Sequence, residues 1–139
     1  MKATIRTFET PVTQAFTATG TMTTPRQGHT ATLLPNGKVL IVGGGMSGGS
    51  PYSSSAGICD PGTGTFAPTG NMTVPRSQHA ATLLNDGRIR IAGGAKDKRP
   101  SSGAELYDRA TETLTTSGNM SPYLAPPAKV ATYSQSARM

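Results

Sequence analysis

The chain contains no tryptophan, and aromatic residues make up only 5% of its 139 positions, so bulky core material is scarce. Its single cysteine, Cys59, excludes an intrachain disulfide and any cysteine-rich zinc site. No run approaches the roughly 18 apolar residues of a membrane span. The opening "MKATIRTFET" has no apolar core of the kind a signal peptide carries. The expectation is a chain with neither a targeting segment nor a transmembrane segment, its compartment open. Only seven acidic residues are present, and most fall in turn sequences, so no paired-carboxylate or serine-hydrolase constellation can be assembled. Helical periodicity is also missing. What is abundant is glycine (17) and proline (11), which favours many turns over long helices. The length allows one domain at most, or part of one.

Basic residues outnumber acidic ones, giving a formal charge of +6. Five of the thirteen basic residues, Arg88, Arg90, Lys96, Lys98 and Arg99, lie within one short stretch. The functional reading is a patch for phosphates or acidic polymers, and the plainer reading is a solvated hairpin and loop. Sheet-based nucleic-acid readers interleave aromatic residues for base stacking, and this stretch has none before Tyr107, which argues against nucleic acid as partner.

The dominant feature is a repeat. Residues 23–45, "TTPRQGHTATLLPNGKVLIVGGG", return at 73–95 as "TVPRSQHAATLLNDGRIRIAGGA". Phe16, Gly20, Met22, His29, Gly43 and Gly44 recur 50 positions later as Phe66, Gly70, Met72, His79, Gly93 and Gly94. From Phe16 to Gly44, 16 of 29 positions are identical without a gap, too dense for chance. A third copy opens with "LTTSGNM", and a fainter one precedes the first. Residues 1–15 then read as the last strand of a preceding unit, 16–65 and 66–113 as two full repeats, and 114–139 as the start of another repeat followed by a divergent proline-rich tail. Fixed periods near 50 point to propeller blades.

Each unit reads as four strands. "HTATLL" and "KVLIVGG" flank "PNG", and "HAATLL" and "RIRIAGG" flank "NDG". Asn-Gly and Asp-Gly suit a type I′ turn, so each pair is expected to form a tight hairpin. The consecutive apolar residues of "VLIV" suit a strand buried on both faces between stacked sheets. A third strand lies in "SAGICDP" and "GAELYDR", and a fourth starts at Phe66 or Leu114. Four antiparallel strands per unit make an all-β, propeller-blade architecture that this chain leaves incomplete.

The succession "MTTPRQGHTATLLPNGKVLIVGG", then "YDRATET", then a Phe or Leu followed by "TGNM" or "SGNM", resembles the kelch repeat. It is most similar to bacterial kelch and galactose-oxidase-like propeller proteins, over roughly residues 8–120. The resemblance marks His29, Gly43, Gly44, His79, Gly93, Gly94, Asp60, Tyr107 and Asp108 as structural signature. The first unit carries Ile58-Cys59-Asp60 where the second carries Leu106-Tyr107-Asp108, and the late aromatic is never tryptophan. After Met120 the expected Pro-Arg and His are replaced by "SPYLAPPAKVATYSQSARM", whose prolines would interrupt a central strand.

A repeated residue is first a building part. His29 and His79 open the same strand, one per blade, and lack ligand-spaced partners, so no metal site is expected. Arg26 and Arg76 also repeat. The resemblance places them near one mouth of the propeller, where kelch proteins commonly bind partners. The competing expectation pairs them with a blade aspartate such as Asp60 or Asp108. The run "GGGMSGGSPYSSS" fails as a phosphate-binding loop because Ser50 stands where a lysine is required, so it reads as a variable loop, the place where propellers put specificity. Arg90 replaces Leu40 in an otherwise apolar strand, and must face a central channel, an open side of the blade, or a partner.

These readings converge on a non-catalytic binding or scaffolding module for a protein or carbohydrate partner, with no cofactor. Arg26, Arg76, Arg90, Lys96, Lys98 and Arg99 are the candidate contact residues. Open blade faces would also favour self-association. The alternative is a fragment of a galactose-oxidase-like propeller enzyme. The copper ligands of such an enzyme cannot be assembled from this chain.

Overall fold

The computed structural model describes residues 15–46 and 51–120. Expectations for residues 1–14 and 121–139, the preceding strand and the tail, lie outside the described residues, as do positions 47–50.

Ten strands and no helix occupy the described residues. Strands β1 (Thr30–Leu33), β2 (Val39–Val42), β3 (Ala56–Asp60) and β4 (Thr65–Thr69) form one antiparallel sheet in chain order. The second sheet repeats it with β5 (Ala80–Leu83), β6 (Ile89–Ala92), β9 (Gly103–Asp108) and β10 (Thr113–Asn119). A small hairpin, β7 (Ala95–Lys96) and β8 (Arg99–Pro100), is inserted between β6 and β9. Leu40 pairs with Ile58 and Arg90 with Leu106, so the two sheets share one register. The sheets span 30–69 and 80–119, out of phase with the sequence period, because each fourth strand, starting at Thr65 or Thr113, contains the Phe66 or Leu114 landmark of the following repeat.

The turns differ from expectation. Leu34 N–H donates to the Lys38 carbonyl and Gly37 N–H to the Leu34 carbonyl. Positive φ falls on Gly37 (+86°) but not on Asn36, and the same holds for Gly87 (+87°) and Asp86. That pattern is a three-residue loop, a type I turn closed by a left-handed glycine, rather than the expected type I′ turn. Pro35 favours it by fixing φ at the first turn position. Asn36 and Asp86 complete it by accepting the Lys38 and Arg88 N–H groups through Oδ1 at 3.0 Å. The type I′ geometry occurs instead at Asp97 (φ +49°) and Lys98 (φ +64°), the two residues joining β7 to β8.

The sheets stack face to face. Leu40 and Val42 on one face of the first sheet, and Ile89, Ile91, Tyr107 and Leu114 on one face of the second, form a single buried cluster with Leu34, Ala56 and Met72. Fully burying each aliphatic side chain stabilises by about 1.5–3 kcal/mol, which makes this interface the main source of cohesion. Val39 and Ile41, on the opposite face, are only half-buried, so "VLIV" is fully covered on one side alone.

Polar contacts lock the stack. Tyr107 and Thr69 meet hydroxyl to hydroxyl at 2.8 Å, and His79 Nε2 lies 2.9 Å from Thr30 Oγ1. The Gly44 N–H donates to the Arg76 carbonyl at 2.9 Å, and the Met72 N–H to the Ser54 carbonyl at 2.8 Å. The doubled glycine has its reason here. A Cβ on Gly43 would lie 2.6 Å from the Arg76 carbonyl oxygen and 2.7 Å from His79 Cε1. The neighbouring unit approaches so closely that only a residue without a side chain fits.

Candidate functional site

The repeated arginines are consumed by the fold. Arg76 is 1% exposed and donates to the Gly93 and Gly103 carbonyls at 3.0 and 2.7 Å, tying the end of β6 to the start of β9. Arg26 does the same in the first unit, donating to the Gly43 and Ser55 carbonyls at 2.8 and 3.0 Å and to Ser55 Oγ at 2.7 Å. Neither arginine pairs with Asp60 or Asp108, and neither presents a free guanidinium to a ligand. The partner of Arg76 is Glu105, 3.3 Å away and equally buried. Glu105 also accepts the Thr73 and Val74 N–H groups at 2.8 and 3.3 Å. The equivalent position of the first sheet is Gly57, so Arg26 finds no carboxylate among the described residues.

The expected aspartates shape turns. Asp60 accepts the Gly62 N–H and Asp108 the Ala110 N–H, at 2.9 and 2.8 Å. The Gly62 N–H and then the Lys38 ammonium hold the Asp60 carboxyl below its ordinary range. Tyr107 donates or accepts across the stack, and burial pushes its phenol upward.

His29 and His79 sit under the glycine pairs. A Cβ on Gly44 would lie 3.1 Å from the His29 Cβ, and one on Gly94 would lie 2.9 Å from that of His79. Burial, then the Arg76 and His29 charges, push His79 down to about 4. Burial and Arg26 lower His29 in the same direction. Among the described residues no cluster of three metal-ligating side chains occurs.

Among the described residues Arg90 is exposed, on the face of the second sheet turned away from the first. Lys96, Lys98 and Arg99 stand apart from it on the β7–β8 hairpin. Lys96, Asp97, Arg99 and Pro100 form one wall of an open groove of about 650 Å³, with Ser101, Ser102, Gly103, Asn119 and Val74 completing it. Gly103, one of its lining residues, is held in place by the Arg76 guanidinium, which donates to its carbonyl. Among the described residues Lys96, Lys98 and Arg99 form no ion pair. Cationic groups beside hydroxyls and an amide can hold a carboxylate, sulfate or hydroxyl-rich ligand.

Glu105, Ser101, Ser102 and Asn119 were not singled out by sequence. Glu105 was detectable as a carboxylate one residue from the Leu106-Tyr107-Asp108 landmark, yet its absence from the first copy hid it. Asn119 has a repeat equivalent, Asn71, and so reads as architecture.

No family model matches the chain, and no curated protein matches it. Solved structures do. The structure of YjhT is similar with a TM-score of 0.60 and 15% identity, over 71% of this chain and 40% of that one. The chain therefore spans less than half the length of that neighbour, a β-propeller. The likeness and the paired four-stranded antiparallel sheets establish an all-β fold of propeller blades, incomplete as a propeller.

Proposed function

We propose that this chain is a segment of a kelch-type β-propeller acting as a non-catalytic binding module for a protein or glycan partner, through the groove beside the β7–β8 hairpin. One observation carries the reading. The repeated arginines and the doubled glycines are spent on joining strands and blades, whereas the non-repeated Lys96 and Arg99 are exposed along a groove of about 650 Å³, with Lys98 exposed beside them on the β7–β8 hairpin. The doubled glycines, the Pro-Arg-x-x-His entries and the four-stranded units support the kelch assignment, as does the 50-residue period.

The test is binding of carboxylated and sulfated glycans by the wild-type chain and by a Lys96→Ala, Lys98→Ala, Arg99→Ala variant. Saturable, salt-sensitive binding lost in the variant is expected. Equal binding by both proteins would remove the groove from the account. Copper-dependent oxidase activity of the chain would overturn the non-catalytic reading.

A further inference from the structure

We propose that the groove wall at Gly103 receives a hydroxyl of an acidic saccharide, which takes the part that the Ser55 hydroxyl plays in the first unit. The assignment rests on the groove being the binding site, and names the chemistry that this site selects. Ala56 pairs with Val42 and Ala104 with Ala92, which makes the preceding residues, Ser55 and Gly103, equivalents 48 positions apart.

In the first unit Ser55 Oγ accepts from Arg26 Nη2 at 2.7 Å and lies 2.8 Å from Ser53 Oγ. A guanidinium is thus linked through one hydroxyl to another. The second unit keeps both ends, as Arg76 and Ser101, and has glycine in the middle. Ser101 also keeps its place, since Oγ accepts the Gly103 N–H at 3.4 Å as Ser53 Oγ accepts that of Ser55 at 3.0 Å. Conformation does not demand the glycine, because Gly103 is not among the residues with positive φ. A Cβ there would lie 3.3 Å from Arg76 Nη2, 3.7 Å from Asn119 Oδ1 and 3.8 Å from Ser101 Oγ. Three hydrogen-bonding groups therefore converge on one notch, and Ser101, Gly103 and Asn119 all line the groove.

Most of the Arg76 guanidinium is engaged by the fold, with Nη1 donating to the Gly93 and Gly103 carbonyls. Nη2 carries two hydrogens, and Glu105 Oε2 at 3.3 Å accounts for one. Nε has no partner among the described residues. At 1% exposure the side chain can meet one small protruding group but not a broad face. Glu105 decides the charge of that group. An anionic oxygen on Nη2 would stand beside a buried carboxylate and be repelled. A neutral hydroxyl accepts from Nη2 and donates its own proton to Asn119 Oδ1 or Ser101 Oγ, which satisfies every group. Lys96 and Arg99 are exposed along the same groove and suit carboxylate or sulfate groups. Hydroxyls and anions closely spaced on one ligand describe an acidic saccharide.

Short alginate and dextran sulfate oligosaccharides, set beside oligoacrylate and oligo(vinyl sulfate) of equal charge, test this with the whole chain. Each pair shares its anion, and only the saccharides carry hydroxyls. The wild type is expected to hold each saccharide roughly tenfold or more tighter than its hydroxyl-free counterpart, the usual effect of one hydrogen bond to a charged group. Gly103→Ser supplies the hydroxyl from within the chain and must erase that preference, and Gly103→Ala must erase it by filling the notch. Stability separates the two variants. The serine can accept from Arg76 as Ser55 does from Arg26, so Gly103→Ser must melt above Gly103→Ala. Equal wild-type affinity within each pair would overturn the proposal and leave the groove reading intact. So would a preference that survives both substitutions, or Gly103→Ser melting no higher than Gly103→Ala. Failure of the wild type to bind any of the four would overturn both.

Discussion

His79 of the second sheet reaches Thr30 of the first, with Nε2 2.9 Å from Oγ1, and this bond spans the interface between the blades. Its environment makes it sensitive to acid. Burial, Arg76 and His29 keep His79 neutral in the folded chain down to about pH 4, while in the unfolded chain it takes up its proton near 6.5. Between those values the unfolded state binds more protons, so stability is complete above about pH 6.5 and falls as the pH drops toward 4. Allowing for solvent screening, the loss is on the order of 2 kcal/mol. Urea unfolding at stepped pH reads it directly. His79→Gln should flatten most of the slope, leaving the smaller contribution of His29, which has the same sign.

Glu105→Ala is expected to destabilise by about 3 kcal/mol, the usual cost of stripping one partner from a buried ion pair. It would leave Arg76 charged at 1% exposure and free the Thr73 and Val74 N–H groups. Thermal melting of this variant beside Asp108→Ala separates the two acidic roles. Asp108 is half-buried and caps a turn, so its loss should cost about 1 kcal/mol or less.

Backbone strain identifies a stabilising substitution. Gln78 holds φ at +57°, where its repeat equivalent Gly28 holds +71°. A left-handed non-glycine residue costs roughly 1–2 kcal/mol, partly offset by the greater freedom of glycine in the unfolded chain. Gln78→Gly should therefore raise the melting temperature, by roughly 0.5–1 kcal/mol in free energy. An unchanged or lower melting point would contradict the repeat alignment at this position.

Glycine at the blade junction gives the opposite result. Gly43→Ala adds a methyl 2.6 Å from the Arg76 carbonyl and 2.7 Å from His79, at φ +67°. Gly37→Ala meets nothing within 4 Å and bears only the strain of φ +86°. The first variant should lose more than about 2 kcal/mol and the second about 1. Equal losses in chemical denaturation would mean that the sheets do not approach at Gly43.

The repeat made much of this architecture legible, because residues 50 apart must play the same part in two similar units. Strand order and the shared register of Ile58 and Leu106 followed from it. The turn type did not, since Asn-Gly and Asp-Gly serve both a type I′ turn and the glycine-closed type I loop that both copies adopt, with or without a proline at its first position. The arginine partner was missed for a related reason. Glu105 appears in one copy only, and the nearest repeated acids, Asp60 and Asp108, were occupied by their own turns. Which face of each sheet is covered cannot be read from "VLIV", whose four residues are all apolar. The exposure of Arg90 became interpretable only once the buried face was known. The groove depends on a hairpin whose type I′ residues, Asp97 and Lys98, carry none of the usual glycine signal.

The central claim is that the two repeats are stacked blades joined across one interface, and a double-mutant cycle on Thr69 and Tyr107 tests it most directly. Their hydroxyls, 2.8 Å apart, belong to different sheets separated by 38 positions in the chain. Thr69→Val, Tyr107→Phe and the double variant, compared by equilibrium unfolding, should show a coupling of about 1 kcal/mol. Additivity within about 0.3 kcal/mol would contradict the stack.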